Sequence, residues 1–196
     1  MNLVFLGGVN GVGKTSIARE FVKEPSVHVL DGSAKLMEWL GVTNGDYDKL
    51  RGLPEKMKEK ALTDLFYTLA KESDRETTIV TGHYVKVLDG KITTSYGPWY
   101  QYCSTLALVV GNSELIVHRI LCDDVSKKRT NRSLFGNKQT SLREQIDFIE
   151  NAQIMSTKVM TKAARTFGVP SYHIKNIEGE LQNASKQLWQ ITIRRL

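Results

Sequence analysis

No apolar run in this chain approaches the roughly 18 residues that a membrane-crossing helix requires, so no membrane partner is expected. Cysteine is scarce. Cys103 and Cys122, the two in the chain, stand nineteen positions apart without CxxC spacing, which argues against a zinc site and against a disulfide framework. Both read as buried, inert thiols. The opening MNLVFLGG has no basic stretch ahead of its apolar residues, so it reads as a strand rather than a targeting segment, and the expected location is cytoplasmic. Internal repeats, low-complexity tracts and Pro/Gly/Ser linkers are missing as well. With 196 residues, a single domain spanning the whole chain is expected.

Hydrophobic residues make up 41% and charged residues 24%, the balance of an ordinary globular chain, which excludes disorder. The formal net charge is +6 and the isoelectric point is near 9.3. A positive surface attracts polyanions, nucleotides and nucleic acids alike, and its sign does not choose between them. The cations are unevenly spread: Lys127, Lys128, Arg129 and Arg132 share one short segment with no acidic residue between them.

Residues 3–6 form a continuous apolar run ending in Gly7 and Gly8, the pattern of a strand covered on both faces. Ile17, Ala18, Phe21 and Val22 then recur at helical spacing up to Pro25. A second strand is expected at 27–30 with Asp31 at its carboxyl end. A short helix around Leu36, Met37, Trp39 and Leu40 and a polar loop at 43–48 come next. Residues 54–71 predict a helix with Pro54 in its first turn and Met57, Ala61, Leu65 and Leu69 on one face. The β-branched run 77–81 leads as a strand to Gly82 and His83, and 85–92 around Asp89-Gly90 predicts a hairpin. A strand at 105–110 precedes a helix capped by Asn112 or Ser113 and running through Cys122, then a basic loop to Lys138. A helix over 139–167, a strand at 172–175 and a helix at 181–193 complete the order, with Gly168 and Pro170 ending the longest helix. Tyr96, Trp99, Tyr100 and Tyr102 read as packing beneath a loop.

Strands alternating with helices predict an α/β fold: a P-loop NTPase three-layer sandwich with a five-stranded, mainly parallel sheet, helices on both faces and a small lid. Ligands in such sheets gather at the strands' carboxyl ends. Residues of about 31–73 form the expected acceptor-binding insertion, and about 123–138 the lid.

The sharpest motif stands between the first strand and the first helix: Gly8, Val9, Asn10, Gly11, Val12, Gly13, Lys14, Thr15 and Ser16. This is GxxxxGK followed by Ser or Thr. Its glycines allow backbone angles and close approach that a side chain would block, so successive N–H groups can face phosphate oxygens. Lys14 supplies a mobile positive charge for the β- and γ-phosphates, and the Thr15 hydroxyl is the expected ligand of a bridging Mg2+. The motif predicts ATP binding and leaves open what becomes of the nucleotide.

Phosphoryl transfer needs donor and acceptor held in line and charge neutralised on the moving group. Arg119, at the end of a helix, and Arg129 and Arg132 in the basic segment are the candidate catalytic arginines. Arg51 in LRGLP is placed to hold an acceptor phosphate. Asp31, with Gly32 and Ser33, either receives an acceptor or caps a helix, and Asp31 is a candidate general base. His83 is a candidate acceptor contact.

With these pieces in order the chain resembles the archaeal-type adenylate kinase family, in register over nearly its whole length. The resemblance runs through GVNGVGKTS, LRGLPEKMKEKA, IVTGH, HRILCDDVSKKRTNRS and HIKN. It implies that Gly8 to Ser16 bind ATP, that Arg129 and Arg132 act from the lid, that Arg51 holds the acceptor phosphate and that Asn176 lies near adenine. Homo-oligomers are implied by the same analogy. Two positions depart from the family's pattern: Thr81 replaces an acidic residue at the end of the third strand, and Asp31-Gly32-Ser33 replaces a more neutral, amide-bearing segment.

The expected activity is therefore an ATP-dependent kinase of nucleoside monophosphates, ATP and AMP giving two ADP by direct in-line transfer with Mg2+. An alternative keeps the fold and takes a nucleoside or other small hydroxyl acceptor, with Asp31 as base. A nucleotide-dependent nucleic-acid-binding protein is the reading from another class, motivated by the basic charge. Against it, the sequence shows no second acidic Walker-type strand end with a hydrolytic glutamate and no known recognition module.

Overall fold

A computed structural model describes residues 2–72, 76–125, 134–135 and 140–193 of the chain. The arginines Arg129 and Arg132, with the rest of the basic segment from 126 to 133, lie outside the described residues. Strand β1 (Asn2–Gly7) is buried along its whole length. Its neighbours β3 (Thr77–Thr81) and β6 (Thr105–Gly111) pair with it in parallel, and β2 (Val27–Asp31) and β7 (Ser171–Asn176) close the two edges. The order is β2-β3-β1-β6-β7, a five-stranded parallel sheet. Parallel strands cannot be joined by tight turns, so each connection is a crossover, α-helical except between β3 and β6, where a hairpin and a 3-10 turn make it. The helical crossings are α1 (Lys14–Arg19), then α2 (Gly32–Trp39), α3 (Tyr47–Gly52) and α4 (Glu55–Glu72), followed by α5 (Ser113–Val125) and α6 (Leu142–Phe167), and α7 (Leu181–Ile193) follows the last strand. Helix α1 packs on α7, α2 on α4 and α5 on α6.

Phe5, Val4, Leu6, Ile79, Val80, Leu106 and Leu108 form the middle of the core and are almost fully buried. The Phe5 ring meets Tyr84 and Trp99 edge-on at centroid distances of 5.1 and 4.9 Å, and Tyr100 and Phe66 join the same cluster. The aromatic run at 96–102 thus packs inward, as its composition predicted, partly through a 3-10 turn over Pro98–Tyr102. A separate hairpin, β4 (Val85–Leu88) with β5 (Lys91–Thr94), turns at Asp89 and Gly90. Both turn residues have positive φ, 50° and 68°, the conformation that an Asp-Gly hairpin demands.

Several expectations change in detail. The segment read as a polar loop at 43–48 enters a helix: Asp46 accepts a hydrogen bond from Lys49 N at 3.0 Å and caps α3. Polarity was the cap's signature rather than a loop's. Met57 is exposed and Lys58 takes the inward position on α4. Val22 is exposed too, because α1 ends at Arg19 and the chain goes on in turns. Cys103 is buried, and burial pushes its thiol well above the usual range, whereas Cys122 is exposed on α5. Helix α6 starts at Leu142 rather than 139, where Ser141 and Glu144 make a reciprocal capping box.

Candidate functional site

Parallel pairing aligns the strands' carboxyl ends. Thr81 sits opposite both Leu6 and Asp31, and Gly7 opposite Leu108, so the segments after β1, β2 and β3 emerge along one edge of the sheet. A cleft of about 1260 Å³ opens there. Its lining includes Gly11, Gly13, Lys14, Thr15 and Ser16 from the loop after β1, and Asp31, Gly32 and Ser33 from the end of β2. Arg51, Thr81, His83, Arg119 and Asn176 line it as well. The described site residues predicted from sequence therefore converge, apart from Gly8, Val9 and Val12, which lie behind the loop's surface.

The loop's shape depends on two glycines. Gly8 has φ 155°, and a Cβ there would come within 2.8 Å of the Val109 carbonyl oxygen. Gly13, at φ 95° and ψ 12°, is left-handed, and a Cβ there would run into the Asn176 side-chain amide. That amide donates to the Val12 carbonyl at 2.7 Å, so Asn176, at the end of β7, braces the loop from the far side of the sheet. Lys14 is almost buried; its Nζ donates to the carbonyls of Gly8 and Val9 at 2.9 and 2.8 Å. His83 Nδ1 lies 2.8 Å from the Gly8 oxygen, which as an acceptor requires the proton on Nδ1. His83 lines the cleft, and its ring, just past β3, reaches the loop after β1.

At the end of β2 Asp31 Oδ1 accepts from Ala34 N at 2.9 Å and caps α2. Gly32 passes close to β3: a Cβ there would lie 2.7 Å from the Thr81 carbonyl oxygen. Arg51 pairs with Asp48 one helical turn back. Beyond it lie residues that sequence reasoning missed. Lys58, nearly buried on α4, donates to Glu55 Oε1 at 2.6 Å and to the Arg51 carbonyl at 3.3 Å, and Lys86 on β4 donates to Glu55 Oε2 at 3.1 Å. All three line the cleft. The Lys58 hydrogen bond, reinforced by Lys86 and opposed by partial burial, holds the Glu55 carboxyl below its ordinary range. A signal for Lys58 was present: it begins the stripe Lys58, Ala61, Leu62, Leu65, Phe66, Leu69, a lysine in phase with apolar residues.

For a divalent cation the donor set is sparse. No group of three or more His, Cys, Asp or Glu capable of holding a metal occurs among the described residues. The exposed Thr15 hydroxyl at the mouth of the loop suits Mg2+, which takes few protein ligands and keeps water and phosphate oxygens for the rest. No helix among the described residues is long and apolar enough to cross a membrane.

No family model matches the chain, and no curated protein matches it. Among solved structures it resembles shikimate kinase from Bacteroides thetaiotaomicron, with a TM-score of 0.58 and 15% identity over 97% of each chain. It also resembles an uncharacterized protein from Eubacterium ventriosum, with a TM-score of 0.56 and 10% identity over 99% of each chain. At such identities the likeness is one of architecture: this chain has the α/β fold of a P-loop kinase, a five-stranded parallel sheet flanked by helices.

Proposed function

We propose that this protein is an ATP-dependent phosphotransferase of the nucleoside monophosphate kinase type, similar to archaeal-type adenylate kinases, converting ATP and AMP to two ADP. One observation carries the reading: a single cleft joins the phosphate loop to Asp31–Ser33, Arg51 and the lysines of α4 and β4, so donor and acceptor share one cavity. The family resemblance runs through the same residues.

In this reading the loop N–H groups receive the ATP phosphates. Lys14 exchanges the Gly8 and Val9 carbonyls for β- and γ-phosphate oxygens, and His83 keeps the Gly8 carbonyl satisfied when Lys14 leaves it. Thr15 would hold Mg2+, which when bound supplies charge neutralisation between the β- and γ-phosphates. Arg119, on the cleft wall, together with Arg129 and Arg132 offsets charge on the moving phosphoryl group. Arg51 orients the acceptor. The whole chain is taken as one domain, with 31–73 and 123–138 as the acceptor insertion and lid.

The test is ADP formation from ATP and Mg2+ with each nucleoside monophosphate in turn, with Lys14→Ala as the blank. Stoichiometric diphosphate production from AMP is expected; no turnover with any monophosphate would sink the reading. A second reading, a small hydroxyl acceptor with Asp31 as base, is favoured by the carboxylate at the cleft and by the likeness in fold to a shikimate kinase. Asp31→Asn separates the two. A base loses turnover with substrate binding kept, whereas a helix cap loses little of either, because Asn caps as well as Asp.

A further inference from the structure

We propose that Lys58 and Lys86 form the seat of a phosphate group carried by the acceptor, and that the Glu55 carboxylate occupies this seat until the acceptor displaces it. The proposal rests on the phosphotransferase reading and gives a role to two lysines beside Arg51, the acceptor contact named there.

The two lysines reach one carboxylate from separate elements, Lys58 from α4 to Oε1 at 2.6 Å and Lys86 from β4 to Oε2 at 3.1 Å. Their exposures are unequal in an informative way. The Lys58 side chain is 8% exposed and that of Glu55 75% exposed. A buried ammonium needs an anion beside it, but the anion supplied here is the most accessible member of the group. An ordinary pair one turn apart on a helix surface leaves both side chains in water. Here the cation is built into the cleft wall and its counter-ion is not. A carboxylate so exposed can turn into water, and an incoming anion takes its place beside Lys58, so the exchange leaves the buried ammonium paired.

Charge selects the ligand. Among the described residues two ammonium groups pair with one carboxylate, which leaves an excess of one positive charge in that group. A ligand carboxylate would offer only what Glu55 already provides and has no reason to displace it. A phosphate monoester carries about −1.5 to −2 charges near neutral pH and three strong acceptor oxygens, enough to meet both lysines at once. A third cation is close: the Arg51 carbonyl accepts from Lys58 Nζ at 3.3 Å, and the Arg51 guanidinium is held by Asp48. The seat shares its cleft with the phosphate loop, as an acceptor phosphate requires.

The test uses the full chain saturated with Mg2+ and a non-hydrolysable ATP analogue, so that the phosphate loop is filled, and titrates AMP and inorganic phosphate by calorimetry. Glu55→Gln keeps the shape and removes the competing charge; both probes are expected to bind roughly tenfold more tightly. Lys86→Met is expected to weaken both by a similar factor, alone and in the Glu55→Gln background. Lys58→Met should do the same, and Lys86, half exposed, carries the test if Lys58→Met does not fold. Unchanged or weaker probe binding in Glu55→Gln would overturn the proposal, because Glu55 would then be orienting the lysines rather than occupying their site. Turnover separates this failure from that of the parent reading. AMP phosphorylated with an unaltered AMP KM in Glu55→Gln removes the seat alone, whereas tighter phosphate binding with no monophosphate turned over removes the kinase and leaves the seat.

Discussion

At the scale of single residues, His83 and Asn176 reach the phosphate loop from outside it through the Gly8 and Val12 carbonyls. Asn176 holds Val12, and the space for its amide exists because position 13 has no Cβ. Gly13→Ala is expected to cost about 1–2 kcal/mol from the left-handed backbone alone. It should also displace Asn176, so that affinity for the ATP analogue falls by more than the stability does. Thermal unfolding and nucleotide titration on the same sample check both effects. His83 makes a prediction that separates its two possible sides of the cleft. Because Nδ1 donates to Gly8, His83→Ala should raise the ATP KM and leave the acceptor KM in place; a rise in the acceptor KM alone would return His83 to the acceptor side.

Elements carry their own tests. The longest helix, α6, ends at Gly168 with φ 67°, and nothing lies within 4 Å of where a Cβ would stand. Gly168→Ala therefore isolates the backbone term, expected at about 1 kcal/mol, with Gly168→Asn costing less; denaturant titration measures it. At the other end, hydrogen bonds from the Ser141 hydroxyl and backbone hold the Glu144 carboxyl below its ordinary range. A depressed folded value means that this contribution is present above the unfolded carboxylate range and is lost as pH falls through the folded value. The stability difference between the parent and Glu144→Gln should thus shrink from about pH 7 to about pH 3.

The same helices show what could be read from the sequence. Gly168 before Pro170 marks the end of α6, the Ser141–Glu144 capping box that sets its start was missed by the expected start at 139, and the five strands follow from apolar and β-branched runs. Helix α3 was not legible, since its cap and first turn, Asp46 to Asp48, have the composition of a loop. The inward turn of Lys58 was written in its phase with Ala61, Leu62 and Leu65, but the burial of a lysine there follows only from the place of α4 over a cleft, where its ammonium meets Glu55. The loop after β1 declared itself through its glycines, but Asn176, 164 residues further on, braces it only because β7 lies beside β6.

For the molecule as a whole, the order β2-β3-β1-β6-β7 brings the proposed donor and acceptor residues to one edge of one sheet, over a shared core at Phe5. Ligands that bind the folded chain and not the unfolded one must then raise its stability together. At about 100 times its Kd, each ligand adds roughly 2.7 kcal/mol, which for a chain of this size means an upward shift in Tm of roughly 5–10 °C. The ATP analogue with Mg2+ and AMP are each expected to give a shift of this order, and both together more than either alone. Lys14→Ala should abolish the first shift and keep the second, since Lys14 touches the phosphate loop and not the lysines of α4 and β4. Loss of both shifts in Lys14→Ala would mean that AMP had been binding at the phosphate loop, and the division of the cleft into donor and acceptor ends would fall with it.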